Sequence, residues 1–403
     1  MAEEQWLTAP QAAARLGVRP QTLYAYVSRG LLHSHPVPDA GGRASRYARA
    51  EVDRLAGRAR RGGRAGGLEL LVDTNLTLLD PAGRLYYRGW DVTDAARTAS
   101  YERVAEWLWT GRDAGEPAEW RAPAAALEAG KAAAAALPDT ATLVDRMRVV
   151  CVAVATTDPL RHDRRPEAVA LCGRSLVAAL VESLPGPPTR SRHIAGRLWE
   201  RLTGRRPRPA EAAAVDAALV LLADHELAAS TLGARVAAST WADPYLVVGT
   251  GLGVLGGPLH GGASHGVQLL LADAESSGSV AEAVGTLLRA GDRVPGLGHS
   301  VYTGTDPRAV ALLEAVRAAS PPKARWATVE EVVRVTAGRG LPAPNIDLAI
   351  GGLCHAYRMA PGAGEAIFAV ARVAGWLAHA GEEYQHRLRF RPRAVYTGPA
   401  PGS

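Results

Sequence analysis

The sequence predicts a mainly α-helical protein with a small, basic helix–turn–helix unit at its amino terminus. Three observations carry that expectation. From residue 100 onward, Ala-rich stretches at 119–136, 142–156, 165–184, 209–240, 306–319 and 363–386 repeat apolar residues about every 3.6 positions, with Pro or Gly between them. No strand–helix–strand alternation, nucleotide-binding Gly-rich loop or internal repeat accompanies them. The formal net charge of +6 is confined to residues 1–66: 11 of the 46 basic and 5 of the 40 acidic residues lie there, and the remaining 35 and 35 cancel.

Bulk properties narrow the class further. A chain of 403 residues with 47% apolar and 21% charged residues suits a globular protein of two or three domains. No apolar run approaches the ~20 residues of a membrane span, and "MAEEQWLTAPQ" is acidic and lacks the apolar core of a signal peptide. Cys151, Cys172 and Cys354 are far apart with no CxxC, which fits a reducing cytoplasm and argues against a zinc site or disulfide framework. Lys131 and Lys323 are the only lysines, so a high arginine count alone does not indicate nucleic-acid binding.

The elements follow in order. In "LTAPQAAARLGVRPQTLYAYVSRGLL" (7–32), Thr8 and Gln11 form a capping box for a first helix with Ala12, Ala13 and Leu16 on its apolar side, ended by Gly17. Thr22 to Ser28 form a second helix exposing Gln21, Thr22, Tyr24 and Arg29. "GGRASRY" (41–47) is a loop, 48–60 a third helix, and "RRGGRAGG" (60–67) a flexible basic linker. Residues 67–94 alternate apolar and polar around "DPAG", the pattern of a short β-hairpin.

Four places then break the helical run with polar groups. "LLADHELAAST" (221–231) puts His225 where a helix should end, and "GVLGGPLHGGASHGV" (253–267) holds His260 among glycines. "VPGLGHSVYTGTDPRAVALL" (294–313) places His299 after a Gly-rich loop, then Asp306 as N-cap with Pro307 at the first helical position. In "LPAPNIDLAIGGLCHAY" (341–357), Asp347 lies in a helix's first turn. Taken singly, each of these is as well explained by capping, packing or the helix dipole. His260 and His265, five residues apart, do not share a helix face and so lack the HxxxH metal pattern.

Taken together they resemble one family. Residues 1–60 resemble the winged helix-turn-helix of MerR and excisionase proteins, with "GGRASRY" as the wing. That resemblance implies duplex DNA as a possible partner, the second helix entering the major groove while Arg43 and Arg46 meet phosphates. Beyond a linker at 61–66, the stretches "GRLYYRGWDVTD", "YERVAEWLWTG", "GPLHGGAS", "GLGHSVYTGTDPRA", "PNIDLAIG", "FAVARVAGWLAHAGE" and "RFRPRAVYTG" resemble the citrate synthase family in order and spacing over residues 67–403. The resemblance implies a large subdomain at about 67–262 and 353–403, a small mobile one at about 263–352, and a homodimer. It implies condensation of acetyl-CoA with oxaloacetate, the coenzyme A thioester being a substrate and no cofactor or metal being bound. Asp347 would be the base, His260 would polarise the thioester carbonyl, and His299 would bind the keto oxygen. His225, Arg308 and Arg372 would hold the keto-acid carboxylates, with Arg391 supplied by the partner subunit. Val294, Pro295, Gly296, Leu297 and Gly298 would contact coenzyme A.

Physical chemistry agrees with those roles. A thioester methyl is a very weak carbon acid, so its deprotonation needs a base together with a donor to the enolate oxygen. Asp347 near a helix start should stay ionised. Glycines around His260 would let substrate approach the backbone, and arginines bind carboxylates in fixed bidentate geometry. Ser264, Leu227, Ala228, Ser300 and Thr303 stand where the family often carries other residues. Two alternatives remain beside the citrate-forming reading: 2-methylcitrate formation from propanoyl-CoA, and a DNA-binding regulator whose synthase-like body senses a metabolite.

Overall fold

The computed structural model describes residues 6–16, 18, 23–24, 26–27, 32–37, 45–53, 71–80, 82–257, 262–386 and 390. The chain forms two units, Met1–Asp73 and Thr74–Ser403.

In the first unit, β1 (Trp6–Thr8), β2 (His35–Pro36) and β3 (Ser45–Ala48) form an antiparallel sheet in the order β1-β3-β2 beside helix α1 (Ala9–Leu16). The capping box is present: the Gln11 N–H donates to Thr8 Oγ1 at 3.5 Å and the Thr8 N–H to Gln11 Oε1 at 2.9 Å. Ala12, Ala13 and Leu16 pack with Leu23, Leu32, Tyr47 and Val52 in a small core of their own. Ser45, Arg46 and Tyr47 are strand and not the expected loop, because pairing with β1 buries Tyr47 while the Arg46 guanidinium lies 4.4 Å over Trp6. Gly17, Gln21, Thr22, Arg29, Arg43 and the linker 61–66 lie outside the described residues.

The second unit opens with the expected hairpin, β4 (Thr77–Leu79) and β5 (Leu85–Tyr87), to which β6 (Trp90–Asp91) adds a third antiparallel strand. Fifteen helices follow among the described residues: α2 (Val92–Thr98), α3 (Tyr101–Thr110), α4 (Ala124–Ala135), α5 (Leu143–Ala155), α6 (Pro166–Glu182), α7 (Ile194–Thr203), α8 (Pro209–Leu222), α9 (Ala229–Ser239), α10 (Pro244–Leu255), α11 (Ala263–Ser277), α12 (Val280–Ala290), α13 (Pro307–Ala318), α14 (Lys323–Gly338), α15 (Ile346–Ala356) and α16 (Ala363–His386). Helix α16 is buried along nearly its whole length and is the axis of the core. Glycines let partners close on it: a Cβ at Gly251 would sit 2.5 Å from the Trp376 ring, and one at Gly173 would sit 2.9 Å from Leu377.

The stretch 209–240 is two helices, parted where the sequence puts His225 at a helix end. Tertiary hydrogen bonds claim the backbone between α8 and α9. The Gly375 N–H donates to the Ala223 carbonyl at 2.9 Å, and the Asp224 N–H donates to Tyr87 Oη at 3.0 Å. Glu226 then turns the chain with φ at +55°. That break leaves His225 off the end of α8. No helix among the described residues is long and apolar enough to cross a membrane.

Candidate active site

The site is assembled from two helix starts, one helix end and one buried helix. At the start of α13, the Asp306 carboxylate caps the helix through the Arg308 N–H at 3.0 Å. It also holds the Arg308 guanidinium at both oxygens, Nε to Oδ1 at 3.0 Å and Nη2 to Oδ2 at 2.9 Å. Arg308 is only 2% exposed, and this pairing keeps it charged: burial lowers its pKa, but Asp306 raises it more.

At the start of α15, Asn345 caps the helix by accepting the Asp347 and Leu348 N–H groups, and Asp347 is its second residue. Asp347 is half-buried and its Oδ1 is without a hydrogen-bond partner. Burial pushes this carboxyl up to about 6, against the pull of Arg308 and Arg372. It is therefore still mostly ionised at neutral pH, but it is a far stronger base than an exposed aspartate.

The Gly-rich loop before His299 is laced to the approach of α15. The Asn345 N–H donates to the Gly296 carbonyl at 2.9 Å, the Gly298 N–H to the Ala343 carbonyl at 2.8 Å, and Asn345 Nδ2 to the Gly298 carbonyl at 2.7 Å. Gly296 has φ at +78°, and a Cβ there would lie 2.7 Å from Leu348 and Val267, so glycine is required. His299 Nδ1 accepts the Val301 N–H at 3.0 Å. That bond takes the ring's acceptor nitrogen and leaves the proton of the neutral ring to Nε2; the 3.4 Å approach of Arg308 Nη2 to Nε2 is then donor against donor and not a hydrogen bond, so Nε2–H is left for a ligand oxygen lying between them. Burial and then Arg308 hold the His299 pKa below its ordinary value.

His225 stands with its ring 5.3 Å from that of His299, and Tyr302 sits beneath both. Burial, then Arg308 and Arg372, push the His225 pKa far down, so it too is neutral. Arg372 comes from inside α16 at 1% exposure; its Nε donates to the Leu222 carbonyl at 2.8 Å while Nη1 has no partner. Its pKa is lowered by burial, and Asp224, Arg308 and Asp347 all act on it electrostatically. His225, His299, Arg308, Asp347 and Arg372 thus converge on one region. Val294 to Gly298 form the loop leading into it. His260 and Arg391 lie outside the described residues.

Several members are not evident from local sequence. Tyr302 and the second role of Asp306 lie inside "GLGHSVYTGTDPRA" but depend on partners that the motif does not reveal. A buried relay supports the segment before His225: Asp224 Oδ2 lies 3.1 Å from His379 Nε2, and His379 Nδ1 lies 2.9 Å from Arg235 Nη1. Arginine can only donate, so His379 carries its proton on Nε2 and gives it to Asp224. These residues are 144 to 155 positions apart in the chain, and no local pattern announces the contact. Ser264, at 1% exposure, is wedged against Gly364, where a Cβ would meet its Oγ at 2.7 Å; it is a packing residue.

A carboxylate, two neutral imidazoles and two buried guanidinium groups thus come together in one region. The comparisons agree on the family. The citrate synthase C-terminal domain model matches residues 67–393, and a helix-turn-helix domain model matches residues 6–60. Citrate synthase of Haloferax volcanii is 34% identical, over 82% of this chain and 95% of its own length. The 2-methylcitrate synthase 2 of Corynebacterium glutamicum is 30% identical, over 78% of this chain and 88% of its own. The crystal structure of citrate synthase from Thermotoga maritima superposes with a TM-score of 0.67 at 26% identity, covering 83% of this chain and 95% of that one. The chain belongs to the citrate synthase family.

Proposed function

We propose that this protein condenses acetyl-CoA with oxaloacetate and water to give citrate and coenzyme A. The observation that carries the reading is Asp347, with its carboxyl pushed up to about 6, facing the region where His225, His299, Arg308 and Arg372 meet. Asp347 takes a proton from the acetyl methyl, and His260 donates to the thioester oxygen as the enolate forms. His299 Nε2–H polarises the keto carbonyl, so the enolate carbon attacks an activated centre. Arg308, Arg372 and His225 hold the carboxylates, which fixes the keto acid against the attacking carbon. Water then hydrolyses the citryl thioester. Coenzyme A lies along Val294, Pro295, Gly296, Leu297 and Gly298, and neither metal nor resident cofactor takes part.

The chain works as a homodimer in the cytoplasm, with Arg391 reaching the partner's site. An apolar groove of about 1120 Å³ between α5 and α10 supports a partner surface, with Val152 66% and Leu246 59% exposed along it. The large subdomain comprises about 67–262 and 353–403, and the small one about 263–352 closes over the substrates. The direct test is thiol release from acetyl-CoA by the purified protein. Release that depends on oxaloacetate supports the reading, and none under conditions of proven substrate binding removes it.

Two observations favour additions. The likeness to a 2-methylcitrate synthase makes propanoyl-CoA a second substrate to assay, since one methylene is worth only ~1–3 kcal/mol of discrimination in a pocket. The helix-turn-helix match and the confined positive charge support duplex DNA as a partner of residues 1–60. Removing residues 1–66 abolishes a salt-steep DNA affinity and spares catalysis; equal DNA affinity in both forms refutes the assignment.

A further inference from the structure

Tyr302 touches three of the residues assigned to the keto acid. Its hydroxyl lies 3.0 Å from His225 Nε2, its ring is 4.9 Å from that of His299, and the Arg308 guanidinium lies 5.2 Å over its face. It is 5% exposed, and burial pushes its pKa up to about 12, so the oxygen keeps its proton. The ring nitrogen that His225 would offer to a carboxylate is therefore already bonded to a phenol. A phenol has one proton to give and lone pairs to accept with, whereas a carboxylate only accepts. One arrangement satisfies all three groups: His225 Nε2–H donates to the Tyr302 oxygen, and the Tyr302 O–H donates onward.

We propose that Tyr302 makes the direct hydrogen bond to a carboxylate of the keto acid and that His225 acts through it, as a positioning residue. This rests on the keto-acid reading of the site. It differs from that reading in its energetics. Two links of one chain lose affinity once, whereas two residues that each touch substrate lose further affinity in the double variant even when their contact couples them.

The test is a double-mutant cycle on full-length protein with Tyr302→Phe, His225→Gln and the pair, reading oxaloacetate Kd by calorimetry alongside KM and kcat. Each single variant weakens oxaloacetate by about ten- to hundred-fold, the value of a hydrogen bond to a charged group, and KM rises with Kd. The double variant is no weaker than the weaker single. A further loss in the double variant overturns the relay. Tyr302→Phe deletes one oxygen and keeps the ring packing, and a second cycle with His225→Asn guards against misfolding of the glutamine variant. A readout free of substrate stands beside these: ¹⁵N NMR of the unliganded protein places the His225 proton on Nε2 and shows that resonance shifting in Tyr302→Phe. A proton on Nδ1 also overturns the relay. Failure of the wild-type protein to bind oxaloacetate removes the keto-acid reading instead, and the tautomer then decides the relay alone.

Discussion

The Asp306 carboxylate accepts the Ile346 backbone N–H at 3.1 Å. The same oxygen, Oδ2, bonds Arg308 Nη2, so a single buried carboxylate couples the start of the helix bearing Arg308 to the start of the helix bearing Asp347. Arg308 and Asp347 cannot shift independently while that carboxylate is in place.

Asp306→Ala should therefore damage binding, chemistry and stability together. It leaves the Arg308 charge buried and unpaired and frees one N–H of α15. Breaking a buried pair from one side costs about 3–5 kcal/mol. We expect a fall in Tm of several degrees, an oxaloacetate Kd at least about tenfold weaker, and a lower kcat. Thermal unfolding, calorimetry and steady-state rates check this; unchanged kcat with weakened binding would show that the two helices are not coupled.

Asp347→Asn removes the base while leaving the arginines and both imidazoles. Turnover should fall by at least about 10²-fold, with oxaloacetate affinity close to wild type. The pH dependence has a definite sign. The base must be ionised, so with its pKa near 6 the rate falls as pH drops through 6, tenfold per unit below it. The linked stability runs the other way. The folded-state pKa is raised above the unfolded ~3.9, so between about pH 4 and 6 the folded protein binds more protons and unfolding free energy decreases as pH rises. At neutral pH the ionised, buried carboxylate is a net burden of the order of 3 kcal/mol. The asparagine variant should accordingly melt higher than wild type at pH 7, and a lower Tm there would contradict the raised pKa.

The sequence carried the helices, the hairpin and the order of polar breaks because those depend on neighbours a few residues away. Asp306 capping α13 and Asp347 in the first turn of α15 are local facts of that kind. The helix end near His225 is local too, but what holds that break is not: Tyr87 and Gly375 each lie more than 130 residues from the carbonyl or amide they meet. Strand pairing at Ser45–Tyr47 and the His379–Asp224 contact failed to show for the same reason. The lost information lies in long-range pairing, which apolar periodicity does not encode.

Gly375 offers a test of how tightly the segment before His225 is held. A Cβ there would collide with Asp224 Oδ1 and lie 2.6 Å from the Ala223 carbonyl; the first belongs to a side chain held by Thr77 and His379 and the second is backbone. Gly375→Ala should destabilise by about 1–3 kcal/mol and weaken oxaloacetate binding by moving His225, although it touches no substrate. A variant with wild-type Tm and affinity would show that the segment yields freely.

Arg391 is the residue that the family resemblance sends to the partner's site, and its sequence context makes that testable. Arginines at 387, 389, 391 and 393 recur at every second position, which suits an extended tail and not a helix. Such a tail serves either its own subunit or the neighbour across a two-fold axis. Subunit mixing separates the two. Asp347→Asn and Arg391→Ala proteins, each inactive alone, are unfolded and reassembled together. In a mixed dimer, the site with an intact Asp347 belongs to the Arg391→Ala chain. If the tail crosses over, that site receives an intact Arg391 from the Asp347→Asn chain. Random pairing puts half of the dimers in the mixed form with one working site of two, so about a quarter of wild-type activity returns. If Arg391 serves its own subunit, every site in the mixed dimer still lacks one group. No activity then returns, and with mixed dimers verified by mass spectrometry that result ends the claim of a shared site.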